Sequence, residues 1–198
     1  MKLEDLFNRR IEATLAAIEA VRLRRAELAS AAELIINCLR AGGTIYTAGN
    51  GGSAAQALHL AEELIGRYRS NRRPLRAICL NADATALTCI ANDFGFEAVF
   101  ARQCEALLRH GDVLVVLSTS GNSPNILKAL EVAQTRGCHS IGLLGGRGGA
   151  AMAACTTGIC VSPPAADNVL DSASVQDAHQ VALHLLCEAV ERAFAGPE

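Results

Sequence analysis

Short apolar runs with β-strand character alternate along most of the chain with stretches of helical periodicity. The runs are Thr44–Ala48, Ala77–Asn81, Val113–Ser118, Ser140–Leu144 and Ile159–Ser162. The helical stretches between them favour right-handed crossovers, and strands joined in that way run parallel in a sheet that helices cover on both faces. The alternation therefore predicts an α/β fold with a five-stranded parallel sheet.

Helical periodicity also marks both flanks of this pattern. From Leu3 to about Arg40, apolar residues recur at helical spacing between Glu and Arg, which predicts an amphipathic lead-in over residues 1–40. The stretch from about Ser174 to Phe194 lacks internal Gly and Pro, and Pro163-Pro164 marks the break before it. We expect one domain over residues 1–198, with the lead-in used in oligomer contacts.

The composition excludes several classes of function. With 18 Lys and Arg against 20 Asp and Glu, the formal net charge of -2 gives no electrostatic reason to bind nucleic acid or an acidic membrane. Hydrophobic residues make up 51% of the chain and charged residues 19%. No apolar run approaches the ~18–20 residues that span a bilayer. The apolar surplus is therefore expected in the core, in a subunit interface or in both.

The eight cysteines form no CxxC pair, and most of them lie among Ile, Leu, Val and Ala. The amino-terminal residues lack the basic segment, apolar stretch and cleavage site of a secretory signal. Free cysteine often packs as a small hydrophobic residue. We therefore expect reduced, mostly buried thiols in a cytoplasmic protein.

A glycine-rich segment, Gly49–Ser53, follows the first apolar run and precedes a helical stretch. Glycines allow close approach to the backbone, and a helix amino terminus offers unpaired N–H groups to an anion. Turns of this composition also occur for steric reasons, so the segment alone does not establish a ligand site. It has neither the lysine of a P-loop nor the GxGxxG spacing, which disfavours nucleotide binding.

A second loop lies between the third apolar run and the next helical stretch. Four hydroxyl side chains fall within six of its residues: Ser118, Thr119, Ser120 and Ser123. One serine would be enough to cap the helix. Four hydroxyls together with backbone N–H groups can donate to the three oxygens of a phosphate monoester. Since ligands of open parallel sheets bind at the carboxyl ends of strands, we expect a phosphate here.

Two sets of polar residues at helical spacing are candidates for metal binding or acid-base chemistry. His59 and Glu63 lie four residues apart in a helical stretch and so share a face. The last helical stretch supplies Gln176, His179 and His184. The alternatives are a surface i,i+4 pair and hydrogen-bonded core histidines. Imidazole and carboxylate ligands would suit zinc or another divalent transition metal.

Four motifs occur in order along the chain, followed by two polar residues of the last helix. They are GNGGS at 49–53, HLAEEL at 59–64, ANDFGF at 91–96 and STSGNS at 118–123, then Gln176 and His184. In this order they resemble the phosphoheptose isomerase family of SIS (sugar isomerase) domain proteins. The similarity spans nearly the whole chain. It implies a flavodoxin-like α/β/α sandwich that forms a homotetramer, with active sites near subunit contacts.

The resemblance also implies ligands and a reaction. It implies a zinc ion held by His59, Glu63, Gln176 and His184. The implied sugar-phosphate contacts are Asn50, Gly51, Gly52, Ser53, Glu63, Asn92, Asp93, Ser118, Thr119, Ser120, Ser123 and Gln176. The implied reaction converts sedoheptulose 7-phosphate into D-glycero-D-manno-heptose 7-phosphate, the first step of ADP-heptose synthesis for lipopolysaccharide or related glycans.

An aldose-ketose isomerase moves a proton between adjacent carbons through an enediol. The reaction needs a base, an acid and a group that polarises the carbonyl. Among the residues carried over, Glu63 is the best base and His184 the best acid. A phosphate fixed at the hydroxyl-rich loop of residues 118–123 would orient the reacting carbons.

The segment before Gln176 departs from the family pattern. The family has a basic residue and Ile before this glutamine, whereas this chain has Ser174-Val175, and residues 165–172 also differ and are somewhat longer. Substrate contacts from this segment are therefore not carried over. The metal set itself is intact.

Gln176 and His184 also pose a geometric problem, because on one straight helix they would lie ~12 Å apart along the axis and ~80° apart around it. Two ligands of one zinc ion lie within about 4 Å of each other. Either the helix begins after Gln176, or a neighbouring subunit completes the set. The apolar surplus favours a shared site in an obligate oligomer, most simply a tetramer.

Two other functions remain open at this level. Some relatives with this fold are non-catalytic tetramers that bind the bacterial replication initiator, and such a protein has no need of the complete zinc set. An isomerase or regulator acting on another sugar phosphate is the second alternative. The presence of all four metal-type residues favours the enzyme.

Overall fold

The computed structural model describes residues 2–161 and 171–195, and its strands form one parallel sheet. The strands are β1 (Ile45–Gly49), β2 (Ala77–Cys79), β3 (Val113–Ser118), β4 (His139–Gly145) and β5 (Thr157–Val161). Their order across the sheet is β2-β1-β3-β4-β5, and every neighbouring pair is parallel. The predicted α/β class and the five-stranded sheet are confirmed.

Eight α-helices surround this sheet in the described part of the chain. They are α1 (Leu3–Arg22), α2 (Arg25–Arg40), α3 (Gly52–Ile65), α4 (Ala84–Phe94), α5 (Ala101–Leu107), α6 (Pro124–Thr135), α7 (Ala151–Ala154) and α8 (Ser172–Phe194). The last helix begins two residues before the predicted Ser174. The predicted end of the fifth run at Ser162 and the Pro163-Pro164 break lie outside the described residues.

The lead-in consists of two helices, although neither Gly nor Pro interrupts its sequence. The break falls at Leu23 and Arg24, and Arg24 leaves the helical region with φ -103° and ψ 22°. Its Nε donates a hydrogen bond to the carbonyl oxygen of Cys160 in β5 over 3.3 Å. A tertiary contact at the end of the sheet therefore accompanies the change of helix direction.

Successive residues of β3 pack on opposite faces of the sheet, as the pleat requires. Val113, Val115 and Leu117 join the core formed with α1, α2, α3 and α8. Leu114 and Val116 join the core formed with α5, α6 and α7. All five side chains are fully buried, so the sheet is the middle layer of an α/β/α sandwich.

The strand order reverses between β1 and β3. From β1 the chain continues to β2 on one side, and from β3 it continues to β4 on the other. In open parallel sheets, the crevice at this switch point is where ligands bind. The two loops that the sequence singled out follow these two strands.

The cysteines and helices agree with the expectations about burial. All eight cysteines lie in described segments and are unpaired, and six of them are buried. Among the helices that the structure describes, none combines the length and apolar character needed to cross a membrane.

Candidate active site

The loop after β1 is joined to the start of α6 by a reciprocal pair of amide hydrogen bonds. Asn50 Nδ2 donates to Asn125 Oδ1 over 3.0 Å, and Asn125 Nδ2 donates to Asn50 Oδ1 over 2.9 Å. Asn125 is buried, and its Oδ1 also accepts the N–H of Ile126. The two loops at the switch point are therefore one connected edge. Sequence reasoning missed Asn125, because nothing local distinguishes it from an ordinary residue of a first helical turn.

The serine loop, residues 118–123, is ordered by its own hydrogen bonds. Ser118 Oγ accepts the N–H of Gly121 over 3.0 Å, and Ser120 Oγ accepts the N–H of Asn122 over 3.2 Å. Ser123 is the N-cap residue of α6, yet its side chain makes no capping hydrogen bond. Helix capping therefore does not explain the Ser123 hydroxyl, whereas Ser118 and Ser120 hold the shape of the loop.

The serine loop also packs against the loop that follows β4, backbone against backbone. Gly121 has φ +65°, and a Cβ atom added there would lie 1.9 Å from the carbonyl oxygen of Gly148. A Cβ atom added to Gly145 would lie 2.2 Å from the carbonyl oxygen of Thr119. Asn122 Oδ1 accepts the N–H of Ala150 over 2.9 Å. No side chain fits at these glycines without moving the loop.

Helices α3 and α8 lie side by side and carry polar side chains along their contact, which we call the α3–α8 seam. Its members are Gln56, His59 and Glu63 of α3, and Gln176, Gln180 and His184 of α8. They recur every three or four residues on each helix, so each set forms one stripe. The seam begins beside the loop after β1, where the Gln176 amide lies against Gly52.

The far part of the seam contains two imidazoles and a carboxylate. They belong to His59, His184 and Glu63, which we call the metal-type cluster. His59 Nε2 lies 3.0 Å from Glu63 Oε1. One potential ligand atom from each of His59, Glu63 and His184 falls within 4.8 Å of the others. The rings of His59 and His184 meet edge to face with centroids 5.3 Å apart, and the Tyr68 ring lies 5.6 Å from that of His184. This geometry suits a divalent metal ion with nitrogen and oxygen ligands.

Two members of the seam, Gln56 and Gln180, were missed by sequence reasoning, and Gln180 is the one that contacts the histidines. Its Nε2 lies 2.9 Å from His59 Nδ1 and 3.0 Å from His184 Nε2, so it bridges the two rings. The signal was available in the spacing, because Gln180 lies four residues after Gln176 and four before His184. An i,i+4 neighbour shares the helix face of both.

Comparisons with known proteins agree with the site and the fold. A family profile described as the SIS domain matches residues 7–145. A phosphoheptose isomerase of Pelobacter propionicus is 44% identical over 167 residues, which are 84% of this chain and 85% of the relative. The chain belongs to the phosphoheptose isomerase family.

Solved structures extend the likeness to three dimensions. The phosphoheptose isomerase of Neisseria gonorrhoeae has a TM-score of 0.85 at 37% identity, and that of Francisella tularensis has 0.86 at 34%. Both comparisons cover 97% of this chain and 100% of the solved chain. The resemblance and the fold that its motifs implied are confirmed for this phosphoheptose isomerase family member.

Gln176, which the family resemblance places among the zinc ligands, lies at the other end of the seam within one chain. A Cβ atom added to Gly52 would lie 2.7 Å from both polar atoms of the Gln176 side-chain amide. The backbone carbonyl oxygen of Gln176 accepts a hydrogen bond from Gln56 Nε2 over 2.7 Å. Helix α8 begins at Ser172. The suggestion that the helix starts after Gln176 is therefore wrong, because residues 172–194 form one continuous helix.

The loop after α3 holds the end of the helix that carries Glu63. The Arg72 guanidinium donates to the carbonyl oxygens of Glu63 over 2.6 Å and of Leu64 over 2.9 Å, which satisfies acceptors at the helix end. The carboxylate of Glu191 in α8 accepts the N–H groups of Arg69 and Ser70. The loop thus ties α3 to α8 just beyond the metal-type cluster.

Asn92 and Asp93 lie at the exposed end of α4. Asn92 Nδ2 donates to Asp93 Oδ1 over 2.8 Å, and the Cys89 thiol lies 3.7 Å from Asp93 Oδ2. Within the described segments these side chains hydrogen-bond inside α4, and not to the loops at the switch point. Ser53, by contrast, is buried in the first turn of α3, and its N–H donates to the Asn50 carbonyl.

His179 and Cys187 of α8 are buried in the core beside the seam. His179 is fully buried, and neither ring nitrogen has a hydrogen-bond partner within residues 2–161 and 171–195. Burial lowers the pKa of His179 to about 4. Burial, reinforced by the nearby charge of Glu63, raises the pKa of the Cys187 thiol to about 12. The ligand atoms that converge belong to His59, Glu63 and His184, so the cluster is a nitrogen and oxygen site.

Proposed function

We propose that this protein converts sedoheptulose 7-phosphate into D-glycero-D-manno-heptose 7-phosphate. The observation that carries the proposal is the convergence of His59, Glu63 and His184 at one end of a seam whose other end abuts the loop after β1. From Gly52 to His59 the helix rises by about 10 Å. Such a span suits a substrate with its phosphate and its carbonyl group at opposite ends.

Glu63 and His184 supply the proton transfers in this proposal. Glu63 is mostly buried, with 13% of its side chain exposed, and it faces the His59 imidazole. As the base, Glu63 takes the proton from carbon 1 of the ketose and returns it to carbon 2. His184, as the acid, donates a proton to the carbonyl oxygen on carbon 2 to form the enediol, and it takes the hydroxyl proton from the oxygen on carbon 1 when the aldose forms.

The donor set fits a zinc ion, since two imidazoles and one carboxylate are ligands that zinc takes in catalytic sites. We propose that His59, Glu63 and His184 of one chain hold it. Gln176 lies at the other end of the seam within that chain, so we propose that the predicted fourth ligand comes from Gln176 of a neighbouring subunit. A bound zinc ion supplies positive charge that polarises the substrate oxygens. The side chains of the seam hold those oxygens next to Glu63 and His184.

The serine loop is the proposed phosphate site. Its hydroxyls and the amino terminus of α6 offer donors around a backbone whose shape is already fixed by the Ser118 and Ser120 contacts. The hydrogen bond from Asn50 to Asn125 holds the loop after β1 next to the amino terminus of α6. Phosphate binding energy can then orient the reacting carbons at the far end of the seam.

The decisive experiment is incubation of the purified protein with sedoheptulose 7-phosphate, with and without added zinc, followed by determination of the product's stereochemistry. The proposal expects the manno-configured aldose phosphate, formed faster with zinc. Arabinose 5-phosphate and fructose 6-phosphate serve as substrates of other chain lengths. Turnover of one of these alone identifies a different sugar-phosphate isomerase, and no turnover of any favours a non-catalytic SIS protein.

We also propose a homotetramer whose contacts use the lead-in. Helix α1 exposes a stripe of large apolar side chains at i,i+4 spacing: Leu3, Phe7, Ile11 and Leu15. An exposed apolar stripe of this length marks an interaction surface. Sedimentation at assay concentration tests this, and a fully active monomer would exclude a site shared between subunits.

The location and the pathway are proposals of the same kind. Eight unpaired cysteines suit the reducing cytoplasm, which we propose as the compartment. We propose that the product supplies heptose to lipopolysaccharide or a related glycan.

A further inference from the structure

The Gln180 side chain bridges the two histidines of the metal-type cluster. A single atom, its Nε2, lies within hydrogen-bond distance of both His59 Nδ1 and His184 Nε2, at 2.9 and 3.0 Å. We propose that the Gln180 amide competes with the metal ion for the two histidines, closing the cluster when no ion is bound and releasing both rings when one binds. The inference rests on the proposed metal centre.

The orientation of this amide follows from its neighbour Gln56. Gln56 Nε2 donates to the backbone carbonyl oxygen of Gln176 over 2.7 Å, an acceptor that fixes which end of the Gln56 amide is nitrogen. The same Nε2 lies 3.5 Å from Gln180 Oε1. With its oxygen directed at a donor, Gln180 presents its NH₂ group to the histidines, and that group has two hydrogens to donate.

Donation by one amide to two imidazoles determines which ring nitrogens are free to bind a metal ion. A ring nitrogen that accepts an N–H bond uses the lone pair that a metal ion would need. With Nδ1 of His59 as an acceptor, the proton of a neutral ring is on Nε2, which faces Glu63 Oε1 at 3.0 Å. The amide therefore engages His59 and His184 directly and Glu63 through His59.

The direction of the change in metal affinity distinguishes an amide that competes with the ion from an amide that only orients the histidine rings. Hydrogen bonds that exist only in the metal-free chain stabilise that state and lower the affinity for an ion. An amide that simply oriented the rings would have the opposite effect, because loss of an orienting partner weakens metal binding. Removing the Gln180 amide therefore changes zinc affinity in a direction that depends on which role it has.

The test compares zinc affinity of the wild-type protein, Gln180→Leu and Gln180→Met, measured by competition with a chromogenic zinc chelator under reducing conditions. Both variants keep most of the bulk of the side chain and cannot donate a hydrogen bond. Met is unbranched like Gln, so it serves as the second variant in case the branched Leu perturbs folding. Gln134→Leu, on the exposed surface of α6, is the matched control. We expect about tenfold tighter zinc binding in both Gln180 variants, from the loss of two hydrogen bonds of the metal-free state.

The zinc-dependent rise in unfolding temperature gives a second readout that does not depend on turnover. At a fixed zinc concentration this rise should be larger in Gln180→Leu than in the wild type, since stabilisation by a ligand follows its affinity. Equal or weaker zinc binding by the variants overturns the inference while leaving the proposed isomerase intact. A wild-type protein that binds no zinc overturns the metal centre and this inference together, whatever the outcome of the isomerase assay.

Discussion

The serine loop and the α3–α8 seam are the two ends of one proposed site, and they are built by opposite means. The loop is shaped by backbone: Gly121 lies against Gly148, and two of its hydroxyls accept N–H groups of the loop itself. The seam is shaped by side chains that reach between two helices, with a glutamine amide as the bridge. One end is fixed before a ligand arrives, whereas the other can exchange partners.

This difference matches the tasks that we propose for the two ends. A phosphate does not change during isomerisation, so its site gains from a shape that costs no reorganisation on binding. The reacting carbons change their bonding, and the groups around them must take up and release protons. The comparison predicts that substitutions in the loop affect folding and binding together, while substitutions in the seam affect turnover with little effect on folding.

The largest effect is expected at the seam. Glu63→Gln and His184→Gln should each lower turnover by about 10²–10⁴-fold, because each removes a proton-transfer group. The folded state should be preserved, as judged by circular dichroism and unfolding temperature. Glu62→Gln is the matched control, since Glu62 is adjacent but its side chain is 69% exposed. Near-normal turnover of the folded Glu63 and His184 variants would show that these roles are wrong.

The next effect sharpens the contrast at the loop. Gly121→Ala should lower the free energy of unfolding by about 3 kcal/mol, because it adds a left-handed backbone penalty to a collision with the Gly148 carbonyl. Gly111→Ala is the control: Gly111 also has a positive φ, but an added Cβ atom meets nothing within 4 Å. It should cost only about 1–2 kcal/mol. Urea unfolding curves measure both, and equal losses would mean that the loop contact carries no energy.

A third prediction concerns pH, through the buried His179 beside the seam. Burial lowers the pKa of His179 from 6.5 to about 4, an effect that the Leu144 backbone partly offsets without reaching hydrogen-bond geometry. Between these two pH values His179 is protonated in the unfolded chain but neutral in the native chain. The free energy of unfolding therefore falls as the pH drops below 6.5 and levels off near 4. At roughly 1.4 kcal/mol for each pKa unit, the loss approaches about 3 kcal/mol.

His179→Leu removes this proton-binding group and an unsatisfied polar ring from the core. We expect the variant to lose less stability than the wild type when the pH is lowered from 7 to 4.5, measured by denaturant unfolding. His110→Gln, at an exposed histidine, should leave the wild-type pH dependence in place. The same acid sensitivity in His179→Leu and wild type would assign it to other groups.

The smallest effect is expected from single hydroxyls of the serine loop. Ser118→Ala and Ser120→Ala should each weaken substrate binding by about 1.5–3 kcal/mol, the value of a hydrogen bond to a charged group. The expected readout is a raised KM with a smaller change in kcat. Thr135→Ala removes a hydroxyl that bonds within α6 to the Glu131 carbonyl and should leave KM unchanged. Unchanged binding in both serine variants would move the phosphate site elsewhere.

The sequence was sufficient to predict what depends on local pattern. The five apolar runs became the five strands, since a strand buried on both faces is apolar at every position. The loops after β1 and β3 were recognisable because glycines and clustered hydroxyls are unusual between a strand and a helix. The His59 and Glu63 pair followed from helical spacing alone.

What the sequence did not reveal depends on contacts between distant segments. The break at Arg24 has no Gly or Pro to mark it and coincides with a bond to Cys160. Gln180 was overlooked because its partner His59 lies 121 residues away, so its own helix gives only half of the bridge. The placement of Gln176 beside Gly52 likewise required the packing of α3 on α8.

The paired amides of Asn50 and Asn125 couple two positions that lie 75 residues apart, so we expect substitutions at one to depend on the residue at the other. Each side chain gives a donor and an acceptor to the other, so a substitution at position 50 leaves the buried amide of Asn125 without its partner. A mutational path that changes one position is penalised until the second change restores the match. Descendants of this sequence should therefore keep both asparagines or replace both, even though only Asn50 lies in one of the four motifs.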